Sequence, residues 1–424
     1  MKPRSRFAGD AAIYTISNFA VAGVPFLLLP ILTRVLSPAD YGKIAMFTVM
    51  VSVFVVFAGL NTHGAVMVRY FEPVNFSMKR YVPTTLSILT ITTLLLLILV
   101  TVFFEQINSA TTLSINWLML AVVVAAVQFL VQILLTLWQV SKQPIKYGIL
   151  RFIHALIDGT LSIILVVVLL YSWQGRLFGM VFAWGLIAII AIYWLRREGW
   201  LTRQVDLACA KDALRYGVPL VPHALGGLML GMADRFMVTN FLDVAATGIY
   251  LVALQIGLIV GISADAFNKA FAPWIMETLH NVDYAKKQRI VRYTYIYFFS
   301  IATIAIVGAL VIPQVMGLFI GIEYLSASPI VGYVLMGNAF TGMYYMVTNH
   351  IFFTRRTELL SMLTIFVGVI TIGVNWYLIR KHGIAGAAQA FMFGQAMLFA
   401  GAWLLAQYCY RMPWLSCIES KIAK

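Results

Sequence analysis

Residues 83–104 read PTTLSILTITTLLLLILVTVFF, an unbroken apolar run with no charged side chain. At 1.5 Å per residue, a helix needs about 20 such residues to cross a hydrocarbon layer of roughly 30 Å. An outer-membrane strand would use only about ten residues of alternating polarity, and this run does not alternate. It therefore predicts a membrane-spanning helix. Runs of similar length recur near residues 11–33, 44–62, 117–140, 149–171, 177–195, 214–233, 246–266, 293–312, 329–353, 359–379 and 384–407. With 83–104 they predict an all-α integral membrane protein of about twelve transmembrane helices.

Composition agrees. The 424 residues are 62% hydrophobic and 11% charged, with a mean hydropathy of +0.90, far from the mix of a soluble domain. Met1–Arg6 precede an apolar stretch from Ala11 to Thr33 that is too long for a signal-peptide core, so it is expected to stay as the first span. Cys209, Cys409 and Cys417 have neither metal-ligand nor disulfide-framework spacing and read as free thiols. The net charge of +14 is spread over many short loops rather than gathered into one basic domain, which argues against a nucleic-acid partner.

That charge instead sets orientation. With the amino terminus inside, the cytoplasmic segments hold 24 of the 30 Lys and Arg residues and the external segments hold 6. The positive-inside rule therefore predicts cytoplasmic N and C termini in a bacterial inner membrane. The densest basic groups lie around Arg196–Arg215 and Lys269–Arg292, whereas the external loops around Glu105 and Pro313–Ser328 contain none.

The polar connection from Arg196 to Lys211 is where the chain divides, into an N-terminal bundle at 1–203 and a C-terminal bundle at 204–424, with room for a short interfacial helix. Thr33, Leu36, Ala39 and Gly42 recur as Thr239, Leu242, Ala245 and Gly248, each 206 positions later and in the external turn after the first span of its half. Ser37, Pro38 and Asp40 have the order of an N-cap, a first-turn proline and a capping box, and Asp243 offers a cap at the matching point. Two six-helix halves entering from the same side predict parallel repeats. These would be related by a pseudo-two-fold axis along the membrane normal, with a central cavity. That is an alternating-access layout.

Polar side chains inside spans are costly and should face a bundle interior or water. Arg151, His154 and Asp158 share one face of span five at helical spacing, and Asp158 is expected to pair with His154. Gln128, Gln132 and Gln139 share a face of span four, and Asn338, Thr341, Tyr345 and Asn349 a face of span ten. His223 and Asp234 share a face of span seven, after a kink expected at Pro219 and Pro222. Competing readings are plain ones. The amides can simply bond neighbouring helices, and Arg34, Arg69, Arg151, Arg235 and Lys269 can snorkel from span ends. Asp265 and Lys269 can neutralise each other, while His63, His350 and the aromatics of Tyr293–Phe299 read as packing or interfacial residues.

Neither a P-loop, a nucleophile elbow nor a metal-spaced His and Cys set is present, and no cofactor or metal is called for. A membrane polymerase or ligase acting on lipid-linked sugars would be expected to carry a large external loop, and the external loops are short. The chain reads as a transporter, not an enzyme.

Three stretches then resemble a family: PILTRVLSPADYG at Pro30–Gly42, LRYGVPLVPHALGGLMLGMADRF at Leu214–Phe236 and FNKAFAPWIME at Phe267–Glu277. They resemble the Wzx-type polysaccharide flippases of the multidrug/oligosaccharidyl-lipid/polysaccharide exporter superfamily, and the likeness extends along the chain in length, span count and two-half layout. The resemblance implies transfer of an undecaprenyl-diphosphate-linked oligosaccharide, such as an O-antigen unit, to the external leaflet, with the bilayer and polysaccharide polymerase machinery as partners. It also implies a cationic cavity, for which Arg34, Arg69, Arg151 and Arg235 are the candidates, beside Gln128, Gln132, Asn338 and Asn349 for the sugar. Guanidinium suits diphosphate, and amides suit a glycan. Outward movement of negative charge runs with the membrane potential, at about 2.3 kcal/mol per charge per 100 mV, so H+ or Na+ coupling is helpful rather than required. If protons couple, His154 with Asp158 and His223 with Asp234 are the titratable sets. A cation-coupled multidrug exporter is the alternative, and it would want an acidic lumen. A major-facilitator sugar transporter would want a basic signature in the loop Glu72–Val82, which lacks it.

Overall fold

The structure, a computed structural model, describes residues 23–71, 77–280, 283–354 and 356–414, with the side chains of His223, Leu230, Ala270, Pro273, His280 and Thr357 outside that set. Every regular element among the described residues is helical. In order they are α1 Gly23–Val35, α2 Pro38–Ala58, α3 Thr62–Arg69, α4 Met78–Val102, α5 Phe104–Thr111, α6 Ile115–Val140 and α7 Pro144–Ile163. Then follow α8 Ser172–Arg197, α9 Leu207–Gly217, α10 Leu220–Phe241, α11 Val244–His280, α12 Tyr284–Phe319, α13 Ser328–Phe353, α14 Thr357–His382 and α15 Ile384–Cys409.

Among the described residues, ten helices are long and apolar enough to cross a membrane. Two shorter apolar stretches, Gly23–Val35 and Leu220–Met229, stand where the sequence places its first and seventh spans. Residues 11–22 of the expected first span lie outside the described residues. The expected seventh span, 214–233, is broken in two. α9 ends at Gly217 and α10 begins after Pro219, which has no N–H to continue the ladder. Apolar stripes left on the surface, such as Ile91, Leu94, Leu95, Ile98 and Leu99 of α4, mark faces that lipid rather than water must cover.

By contacts the chain forms two compact units, Met1–Gly248 and Ile249–Lys424. This division falls later than the polar connection chosen from sequence, because α9 and α10 are tied into the first unit. Arg69 at the end of α3 donates two hydrogen bonds of 2.9 Å to Asp212 of α9, and the Tyr81 hydroxyl of α4 donates a third at 2.8 Å. Burial opposes ionisation of Asp212, but these bonds and the nearby charges of Arg69 and Arg215 outweigh it and hold the carboxyl below the usual carboxylate range.

The expected turn chemistry is in place. Ser37 Oγ accepts the Asp40 N–H at 3.2 Å, Asp40 Oδ2 accepts the Ser37 N–H at 3.3 Å, and Pro38 is the first helical residue. Asp243 Oδ1 caps α11 by accepting the Ala246 N–H at 2.6 Å. The repeated glycines explain why the two turns match: a Cβ on Gly42 would sit on the Val244 carbonyl oxygen, and one on Gly248 on the Pro38 carbonyl oxygen. Each helix start thus rests on the other.

In the first unit, α6 is the central helix, with Leu118, Ala121, Val122, Ala125, Phe129, Ile133, Leu134, Leu137 and Trp138 fully or almost fully buried. In the second, α13 buries Val331, Val334, Leu335, Ala339, Met346, Val347 and Ile351. Each unit is therefore built around one largely apolar helix that carries a narrow polar stripe.

Candidate functional site

The first unit contains the larger gathering of expected site residues. Between α2 and α3 the helix breaks at Leu60 and Asn61, whose φ values of +48° and +56° are left-handed. The Gly59 carbonyl accepts the Thr62 N–H at 3.0 Å and its hydroxyl at 2.8 Å, which holds the bend. Non-helical backbone at membrane depth is tolerated where it lines a cavity, and this bend carries Asn61 and His63 to one.

That cavity has a volume of about 390 Å³ and is lined by Asn61, His63, Gln128, Phe129, Gln132, Arg151, His154 and Trp184, with Val55, Leu135, Leu150 and Ile187 among the apolar walls. Gln128 and Gln132 come from α6 and Arg151 and His154 from α7, so two stripes read separately in the sequence converge. Three buried polar atoms on its wall have no protein partner: Asn61 Nδ2, His63 Nδ1 and His154 Nε2. Buried donors are almost always paired, so such atoms at a cavity wall are those a polar ligand or water would satisfy. The His154 ring lies 4.0 Å from that of Trp184, and His63 meets Phe129 edge to face at 5.5 Å. Arg151 donates to the Tyr147 hydroxyl at 3.3 Å and makes no ion pair among the described residues. The site thus offers a guanidinium, three primary amides, two imidazoles and an indole face. Such a set grips anions and hydroxyls.

A second cavity of about 210 Å³ shares Gln128, His154 and Trp184 and adds Thr48, Ser52 and Asp158. Asp158 does not pair with His154, contrary to expectation. Arg176 of α8 takes it instead, with bidentate bonds of 2.7 and 3.0 Å and a third to Ser162 Oγ at 2.8 Å. The reversal after α7 explains this. A π turn at Ile164–Val168 ends the helix, and α8 returns close enough for Gly179 to lie against Ser162. A bidentate guanidinium outcompetes an imidazole for a half-buried carboxylate.

The other expected residues lie elsewhere. Arg69 is committed to Asp212, and Arg34 is exposed on α1. Arg235 donates to the Gly231 carbonyl at 2.5 Å and lies 3.9 Å from the buried Asp234, while the His223 side chain is outside the described residues. In the second unit, Asn338 donates to the Val334 carbonyl at 2.9 Å and packs where Gly257 and Gly261 leave room on α11. Asn349 donates to Asn268 Oδ1 at 3.0 Å and to the Tyr345 carbonyl at 2.9 Å. Asn349 thus bonds a neighbouring helix, whereas Asn338 bonds its own helix and only packs against α11. Asp265 and Lys269 neutralise each other at 2.5 Å.

Sequence reasoning missed Asn61, Trp184 and Arg176, and read His63 as packing. A polar residue beside a helix-breaking Gly59 was a signal for Asn61. Arg176 was hidden because its partner lies across a reversal whose register only the π turn fixes. Among the described residues no three His, Cys, Asp or Glu side chains gather as a metal site would need, and Cys209 and Cys409 are free, Cys417 lying outside the described residues.

Comparison with known proteins agrees with this architecture. A family described as "Polysaccharide biosynthesis protein" matches residues 7–279. An uncharacterized membrane protein of Haemophilus influenzae is 23% identical over 380 residues, covering 86% of this chain and 88% of that one. Among solved structures, the lipid II flippase MurJ in an inward closed conformation superposes with a TM-score of 0.73 at 14% identity, over 95% of this chain and 87% of its own. A multidrug resistance MATE transporter of the MOP superfamily, inward-facing, gives 0.71 at 14% identity, over 93% and 94%. The chain belongs to the polysaccharide biosynthesis protein family, and it is a multi-pass membrane protein with the fold of the MATE and MurJ structures.

Proposed function

We propose that the protein carries an undecaprenyl-diphosphate-linked oligosaccharide, an O-antigen-like repeat unit, from the cytoplasmic to the periplasmic leaflet by alternating access. The observation that carries this reading is the convergence of Arg151, Gln128, Gln132 and His154 on one cavity of the first unit, beside the unpartnered polar atoms of Asn61 and His63. Arg151 takes the diphosphate, because a guanidinium without a carboxylate is a ready partner for phosphoryl oxygens. The amides, imidazoles and the Trp184 face take sugar hydroxyls and the ring plane. A pocket for cationic drugs would want the opposite charge. Family membership supports the same substrate class, as does the name of the MurJ flippase, which moves lipid II.

In this reading twelve spans form two six-helix bundles, 1–203 and 204–424, with both termini cytoplasmic. The 24 to 6 partition of Lys and Arg supports that orientation. Coupling to H+ or Na+ is an addition to the outward pull of the membrane potential on the diphosphate. The test is deletion of the gene in its own host. Surface glycan should disappear while the lipid-linked unit accumulates facing the cytoplasm. Unchanged surface glycan together with increased drug sensitivity would assign the protein to multidrug export instead.

A further inference from the structure

Two sequence features that the glycan reading leaves unused meet in the second unit. Phe267, Phe271 and Trp274 fall at i, i+4 and i+7 on α11, inside the stretch FNKAFAPWIME, and Tyr293 and Tyr297 fall one turn apart on α12. They line one groove of about 820 Å³, with Arg289 also on its wall. The rings form a continuous chain. Phe267 stacks on Tyr297 at 4.5 Å and on Phe271 at 5.8 Å, Phe271 meets Trp274 at 5.3 Å, and Trp274 meets Tyr293 at 6.1 Å.

The groove is open on its side: Phe267, Trp274 and Tyr293 are 44%, 40% and 47% exposed. Its charge is at one end. Arg289 is exposed and makes no ion pair among the described residues, whereas the neighbouring Lys286 lies 3.9 Å from Asp283. Its length matches one leaflet. From Arg289 to Ile304, the last α12 residue on the wall, fifteen residues rise about 22 Å, and half a bilayer with its headgroup layer is also about 20–22 Å.

We propose that this groove binds an anionic bilayer phospholipid, with its phosphate on Arg289 and a hydrocarbon chain along the aromatic stripe. One guanidinium at the mouth of an otherwise apolar and aromatic wall fits one phosphate and a tail. A diphosphate carrying a glycan would need the amides and imidazoles that the first-unit cavity has and this wall lacks. The headgroup end is the end where the chain concentrates Lys286, Lys287, Arg289 and Arg292. Such basic pockets between membrane helices recruit anionic headgroups. The proposal is independent of which glycan, if any, the protein carries.

The experiment uses the full chain in vesicles of phosphatidylcholine in which a fraction of the lipid is a bromine-labelled quencher, either phosphatidylglycerol or phosphatidylcholine. The Trp274 signal is the difference between the protein and Trp274→Phe. Labelled phosphatidylglycerol should quench Trp274 at a roughly fivefold lower mole fraction than labelled phosphatidylcholine, the effect of one cation near the membrane surface. Arg289→Gln should bring the two quenchers level, and Arg289→Lys should keep most of the preference. Equal quenching in the unaltered protein overturns the proposal. So does displacement of the labelled phosphatidylglycerol by a polyprenyl phosphate at lower mole fraction than by unlabelled phosphatidylglycerol, which would assign the groove to the carrier lipid.

Discussion

The cavity of the first unit and the groove of the second differ in what their walls leave unsatisfied. Around the cavity, Asn61, His63 and His154 each keep a buried polar atom without a protein partner, and Arg151 faces it without a carboxylate. Among the described residues the second unit too has buried polar atoms without a protein partner, His350 Nε2, Asn375 Oδ1 and Trp414 Nε1, but none of them is on the groove wall, and the polar candidates named from sequence are used within the unit. Asn338 and Asn349 bond backbone and a neighbouring amide, Asp265 holds Lys269, and the groove wall is aromatic. Spans with similar hydropathy thus serve two purposes. At the cavity unpaired polar atoms line the wall, whereas at the groove the wall is aromatic and Asn349 of the same unit ties α13 to α11.

Asp158 is the residue whose replacement should move stability furthest. If the Arg176 pair is structural, Asp158→Asn leaves a guanidinium buried to 11% side-chain exposure with no counter-charge. Loss of one partner of a buried pair typically costs about 3–5 kcal/mol. The single variant should therefore show a much lower thermal midpoint, and the Asp158→Asn, Arg176→Gln double variant should recover a large part of it. A stable single variant whose transport merely loses its pH dependence would return Asp158 to a coupling role.

A crossed pair of substitutions sharpens the contrast between the units. Asn349→Ala removes the bond to Asn268 that joins α13 to α11 and should lower stability by about 1 kcal/mol while transport per folded molecule stays level. Gln132→Ala should do the reverse, reducing transport several-fold with stability unchanged. Parallel losses in both variants would erase the distinction drawn here.

The smallest effect concerns the tie between α3, α4 and α9. Because the Asp212 carboxyl is held below the usual carboxylate range, its pairing with Arg69 contributes stability that is complete above the unfolded carboxylate value of about 4 and is lost only as pH falls through the lower folded value. The thermal midpoint should be flat from pH 8 to 5 and drop below about pH 4, and Asp212→Asn should abolish that acid limb. The same variant should speed labelling of the buried Cys209 on α9 at neutral pH.

Much of the fold was legible because a bilayer makes helix length and hydropathy nearly sufficient. The runs near 83–104 and 117–140 correspond to α4 and α6 within a few residues, and Ser37, Pro38 and Asp40 announced the start of α2. The Gly42 and Gly248 repeat was visible, although its reason, the carbonyl oxygens of Val244 and Pro38, was not. Of the candidate site, Gln128, Gln132, Arg151 and His154 were readable from helical spacing, since one face of a helix meets one space. Asn61 and His63 were not, because their placement depends on two left-handed residues at 60 and 61 that no periodicity encodes. Partner choice was harder still. Asp158 could see His154 one turn away on its own helix, and only the π turn after α7 brings Arg176 nearer.

In the proposed function Arg151 is the grip on the diphosphate. The decisive measurement is transfer of a lipid-linked glycan across reconstituted vesicles, per folded molecule, by the unaltered protein, Arg151→Lys and Arg151→Gln. A charge-assisted contact of about 1.5–3 kcal/mol predicts a loss of roughly ten- to hundredfold for Gln, and partial activity for Lys, which keeps the charge but not the fork. Full transfer by Arg151→Gln would contradict it and leave Arg151 as a residue that merely reaches the interface.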